Sequence, residues 1–119
     1  MALADQITAA VNAHAAWKVR LAQAIANGSS EFAVPVVRQD NECPFGKWLY
    51  GDIDAVSRRS EHYERVRGLH ASFHVAAAGV LALAVGGKRA EAEAAMAPAS
   101  EFARASTQLT LALTGWQRA

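Results

Sequence analysis

With a single cysteine, the chain has no partner for an internal disulfide, and its fold must rest on packing or on some other cross-link. No charge of one sign prevails either. Twelve Lys and Arg stand against eleven Asp and Glu, a formal charge of +1 that argues against broad electrostatic attachment to nucleic acid or to an anionic membrane. Long hydrophobic runs are missing as well: stretches such as residues 75–85 fall well short of the roughly 20 residues needed to cross a bilayer. The N-terminus lacks the basic start and apolar stretch of a secretory signal, so a reducing cytoplasm is the expected compartment. Strand signals are weak, and no repeat or low-complexity tract stands out beyond the richness in alanine.

What is present is a hydrophobic content of 52% over 119 residues, enough for one domain (1–119) with a single core and no linker. From residue 3 to about 26, Leu3, Ile7, Val11, His14, Lys18, Leu21 and Ile25 recur at steps of three and four, the period of one helix face. Asn27, Gly28, Ser29 and Ser30 signal its end. A loop is expected to about Asn41, with residues 34–37 extended because Pro35 lacks an amide donor and disfavours helix at Val34. Cys43 then opens a short turn.

A third helix, capped by Ser57 or Ser60, is predicted to run to about Val85 before Gly86 and Gly87. Its stripe is Val66, His70, His74, Ala77, Leu81 and Ala84, flanked by Leu69, Phe73 and Val80. From Arg89 onward a fourth helix is expected, with a kink or break near Ala97 imposed by Pro98. The class is all-α: an antiparallel four-helix bundle with a short additional helix near Cys43.

Three of the four histidines and the sole cysteine occupy these apolar patterns. His70 and His74 are four apart, one helical turn, so their imidazoles can converge on one ion. Alone, each residue also fits a core: a buried histidine satisfied by hydrogen bonds, or a small buried thiol. Jointly, His14, Cys43, His70 and His74 make the favoured reading one closed four-ligand metal site. Thiolate with imidazole suits Zn2+, with copper(I) and iron as chemical alternatives. A closed shell leaves no position for a reactive water, so the site reads as structural or regulatory and not enzymatic. Ala71 stands where a helical zinc protease would carry its glutamate, and no glutamate precedes a histidine by three residues as in di-iron bundles. His62, about 12 Å along the helix axis from His70 and on a turned face, is expected to be exposed and outside the site.

The segments His14-Ala15-Ala16-Trp17-Lys18 and Cys43-Pro44-Phe45-Gly46-Lys47-Trp48-Leu49-Tyr50, with His70 and His74, together resemble the chemoreceptor zinc-binding (CZB) domain. That resemblance implies a cytoplasmic bundle with a three-histidine, one-cysteine zinc site, commonly a homodimer and often joined to chemoreceptors or diguanylate cyclases. His14, Cys43, His70 and His74 take the ligand roles. The 119 residues contain no signalling hairpin and no cyclase domain, so they read as a stand-alone member or as part of a longer protein.

Around the site, Gly46 is expected to permit a tight turn, and Trp17, Phe45 and Trp48 to wall the metal with apolar surface. Asp40, Glu42, Asp52 and Asp54 are candidates to bond the second histidine nitrogens, with solvated loop carboxylates the blander reading for each. Arg58, Arg59, Arg65 and Arg67 read as a mixed, solvated helix face beside Glu61 and Glu64. The leading function is a regulatory sensor in which zinc occupancy or Cys43 oxidation shifts the packing felt by a signalling partner. A thiol-based redox enzyme using Cys43 and a purely structural zinc-held dimerisation bundle are the alternatives.

Overall fold

The period read from the first residues becomes α1 (Leu3–Asn27), whose buried edge runs through Ile7, Ala10, His14, Trp17, Leu21 and Ile25. The computed structural model describes residues 3–119. Lys18, expected on the buried stripe, is exposed, and Trp17 takes the inward position one residue earlier. An indole can be buried three residues after His14 at no charge penalty; an ammonium cannot. Gly28 ends the helix at φ +70, a conformation that favours glycine.

Residues 34–37 are not extended. They form most of a short helix, α2 (Val34–Arg38), with Pro35 in its first turn. There the missing amide donor removes no helical hydrogen bond, and the Ala33 carbonyl accepts from both Val36 and Val37. Next come α3 (Pro44–Tyr50), α4 (Ala55–Arg58) and α5 (Glu61–Val85). Ser60, one of the two predicted caps, accepts the Tyr63 amide at 3.1 Å, and Gly86 caps the far end of α5. The predicted break at Pro98 is complete: α6 (Arg89–Ala95) and α7 (Glu101–Arg118) are separate helices. Ser100 restarts the second by accepting the Ala103 amide.

Side-chain contacts fix the topology. Val37 bonds His74, Cys43 contacts His70, and Leu49 accepts from Tyr63, so the limb made of α2 and α3 descends as α5 ascends. Phe102 packs on Phe73 and Trp116 on Tyr63, which makes α7 antiparallel to α5. Gln117 near its end bonds Ala4 and Thr8 at the start of α1. The result is the expected all-α antiparallel bundle, with α1 and α5 as continuous limbs and the other two limbs broken into α2 with α3 and α6 with α7.

Helix α5 lies at the centre, packed against α1, α2, α6 and α7. Among the described residues it is the one helix long and apolar enough to cross a membrane. Its central position accounts for that composition, since Val66, Phe73, Ala77, Leu81 and Ala84 are all buried against neighbouring helices. The same core receives three histidines.

Candidate metal centre

His14 comes from the middle of α1, His70 and His74 from successive turns of α5, and Cys43 from the residue that caps α3. Their ligand atoms all lie within 4.8 Å of one another. His70 Nε2 is the hub, 3.1 Å from His14 Nε2, 3.1 Å from His74 Nε2 and 3.3 Å from Cys43 Sγ. A neutral imidazole nitrogen has either one proton or one lone pair, so it can form one good hydrogen bond and not three. A cation at the common point satisfies all four atoms at once. Zinc bonds of about 2.0 to 2.3 Å imply ligand-to-ligand edges of about 3.3 to 3.6 Å in a tetrahedron, close to the distances around the hub.

Protonation favours the same ion. Burial pulls the pKa of His14 from 6.5 to about 4, helped by the neighbouring His74, and that of His70 from 6.5 to about 2, helped by His14 and His74. Burial also lowers His74, against the raising effect of its hydrogen bond to Val37. The three rings therefore present lone pairs at neutral pH, as a metal requires. The Cys43 thiol is raised by burial, an effect offset in part by nearby backbone amides, chiefly that of Gly46.

Two pH effects follow. Below about 6.5 the unfolded chain takes up protons that the buried histidines of the metal-free fold refuse. Stability is thus full above 6.5 and is lost as pH falls toward about 4 for His14 and about 2 for His70. The urea midpoint of metal-free protein is expected to be lower at pH 5 than at pH 7.5; equal midpoints would contradict this. Zinc must also displace the thiol proton, so its apparent affinity is expected to fall about tenfold per pH unit below neutrality, and more steeply once histidines compete.

Cys43 is held at the positive end of a helix. Its Sγ accepts the Gly46 amide at 3.4 Å, while Pro44 occupies the first turn without needing a donor. Gly46 has a different role from the expected turn: it sits inside α3, under the Asp40 carbonyl, and a Cβ there would lie 1.8 Å from that oxygen. The cysteine loop folds flat onto α3 because this residue has no side chain.

The aromatic walls differ in part from expectation. Phe45 packs edge-on to His70 at 5.2 Å and is backed by Trp48. Phe73 stands 5.0 Å from His14. Trp17 instead turns one helical turn away, against Phe32 at 5.1 Å. His62 lies outside the cluster as expected, although it is half-buried and not exposed.

Among the described residues no carboxylate hydrogen-bonds a second histidine nitrogen. His74 Nδ1 pairs with the Val37 carbonyl at 2.8 Å, a contact that needs the α2 helix missed in the sequence. His14 Nδ1 and His70 Nδ1 are buried without a well-formed hydrogen bond, although the Ala10 carbonyl lies near enough to offset a little of the His14 desolvation. Asp54 caps α4 through the Ser57 amide. Glu42 and Asp52 are exposed. Asp40 accepts from the Tyr50 hydroxyl, and Tyr50 in turn meets Arg67, which pairs with Glu64 at 3.1 Å. This outer chain of contacts ties the cysteine loop to α5 three residues before His70. Arg67 is therefore more than part of a solvated face, a role that only its tertiary contact reveals.

In comparison with protein families, the model described as the chemoreceptor zinc-binding domain matches residues 14–81, more than half of the chain and the span that holds all four converging residues. No curated protein and no solved structure matches.

Proposed function

The chain belongs to the chemoreceptor zinc-binding domain family, and from that membership we propose that it is a regulatory zinc sensor. The observation that carries this reading is the convergence of His14, Cys43, His70 and His74 from three separate segments within 4.8 Å. When bound, zinc would hold the imidazoles of α1 and α5 and the thiolate at the head of α3 in one cross-link. Cys43 is the ligand through which the state of the site would reach the rest of the molecule. It is half-buried, and it lies on the broken limb of α2 and α3, which is otherwise joined to α5 by the packing of α2, by Phe45 against His70, by the Val37 and Leu49 carbonyls and by the outer contacts of Tyr50.

Loss of zinc, or oxidation of the thiolate, would release the head of that limb. Hydrogen peroxide, attacked by the sulfur, transfers one oxygen; sulfenic acid forms, hydroxide leaves, and the oxidised sulfur is a poorer ligand. A chemoreceptor or diguanylate cyclase would read the resulting change in packing, in a cytoplasmic setting that keeps the thiol reduced at rest. We take the working unit to be a homodimer, and sedimentation of zinc-loaded protein as a monomer would remove that part.

The sensor reading predicts one zinc per chain in purified protein. It also predicts release of that zinc by a few equivalents of peroxide, measured with a chromogenic chelator alongside near-ultraviolet circular dichroism. Folded protein with no affinity for zinc would overturn the whole reading, whereas retention of zinc and spectrum under oxidant would remove only the redox part. The thiol-enzyme alternative is disfavoured because burial raises the Cys43 thiol and a nucleophile needs the opposite shift.

A further inference from the structure

Asp40 grips α3 at two points. Its carbonyl lies against Gly46, which has no Cβ to push it away, and 4.0 Å from Cys43 Sγ. Its carboxylate accepts the Tyr50 hydroxyl, four residues beyond Gly46 and so one turn farther along the same face of the helix. The hydrogen bond therefore closes the chain from residue 40 to residue 50 on itself, with the Cys43 thiol inside the closed segment.

A hydroxyl has one proton to give. Arg67 of α5 stands beside that of Tyr50 and can only donate, so the Tyr50 proton is left for Asp40. While α2 packs closely on α5, α3 is joined to it by side chains: Phe45 against His70, Tyr63 on the Leu49 carbonyl, and Arg67 beside Tyr50. Tyr50 also bonds the segment that leads into Cys43. The three histidines are fixed on the long helices α1 and α5, whereas the place of the thiol depends on residues 40–43 lying flat against α3.

We propose that Tyr50 is a positioning residue for Cys43: by holding the Asp40 carboxylate it keeps the cysteine loop closed on α3, and so sets how fast the thiolate leaves zinc and how often the free thiol is exposed. The inference rests on Cys43 being a zinc ligand, as the sensor reading holds. Without the hydroxyl, the carboxylate end of the loop is free while the Gly46 contact remains. Tyr50 is partly exposed, so water competes for the bond and the effect is modest.

Tyr50→Phe removes the hydroxyl and keeps the ring. Zinc transfer from the loaded variant to an excess of chromogenic chelator is expected to be about fivefold faster than from wild type, the loss of one net hydrogen bond. In metal-free protein, iodoacetamide is expected to alkylate Cys43 faster by a similar factor, with helical circular dichroism unchanged. Because the Asp40 charge also acts on Cys43 and His74, Asp40→Ala alone mixes two effects. The decisive comparison is Tyr50→Phe added to Asp40→Ala, where no further acceleration is expected. A Tyr50→Phe protein that matches wild type in either rate would overturn the proposal, and so would an acceleration that persists in full without the Asp40 carboxylate. Wild-type protein with no affinity for zinc would instead overturn the sensor reading, and this inference with it.

Discussion

Cys43→Ala is expected to lower zinc affinity by on the order of a hundredfold or more while leaving most of the helix intact. Structural zinc sites contribute about 10 to 16 kcal/mol through four ligands, and even the partners behind a ligand are worth about 10- to 100-fold. Removing the thiolate takes away the one anionic donor and the only ligand from the broken limb. Three neutral imidazoles would remain, with a coordination position open to water. The helix content should survive, because His14, His70 and His74 stay on α1 and α5, and losing the Cys43 cap of α3 costs only about 1 kcal/mol. Competition against a chelator of known affinity measures the effect. An affinity within threefold of wild type would show that Cys43 is not a ligand.

Gly46→Ala should do nearly as much damage by a different route. Exchanging a helical glycine for alanine normally stabilises by about 0.4 to 1 kcal/mol, because glycine loses more freedom on folding. Here the added carbon would lie 1.8 Å from the Asp40 oxygen, 2.8 Å from its carbonyl carbon and 3.0 Å from the Asn41 Cα. All three are backbone atoms, so no side-chain rotation relieves the overlap. The loop must lift, and Cys43 is only two residues beyond Asn41. Zinc affinity is expected to fall at least about tenfold, with a lower melting temperature for the zinc-loaded protein. Gly68→Ala provides the control, because nothing lies within 4 Å of its new carbon. That variant should match or exceed wild-type stability, and a Gly46→Ala protein that behaved the same way would refute the account.

Much of the bundle was legible in periodicity. The stripe from Val66 to Ala84 is buried throughout, and the stop at Gly86 and break at Pro98 fall where backbone chemistry requires them. The misplaced details share one cause. Lys18 and Trp17 are adjacent, and a pattern of three- and four-residue steps admits either; only the neighbouring helices settle which is enclosed. Pro35 forbids little when it falls in a first turn, so its effect depended on where the helix began.

The site divides along the same line. His70 and His74 are one turn apart on any helix, and His14 lies on an apolar face of its own, so residue types and spacing pointed to the donor set and its suitability for zinc, while the family was read from the resemblance of the motif around Cys43 and the histidine segments. That information is local, carried by the 3.6-residue period and by the chemistry of each side chain. Convergence on the His70 nitrogen, the Val37 carbonyl behind His74, the Asp40 carbonyl over Gly46 and the Tyr50 hydroxyl on Asp40 join residues far apart in the chain or depend on how a loop folds back. Contacts of that kind follow from how the limbs pack and how high each crosses the next, quantities that no single segment contains. Only the tertiary structure could decide them.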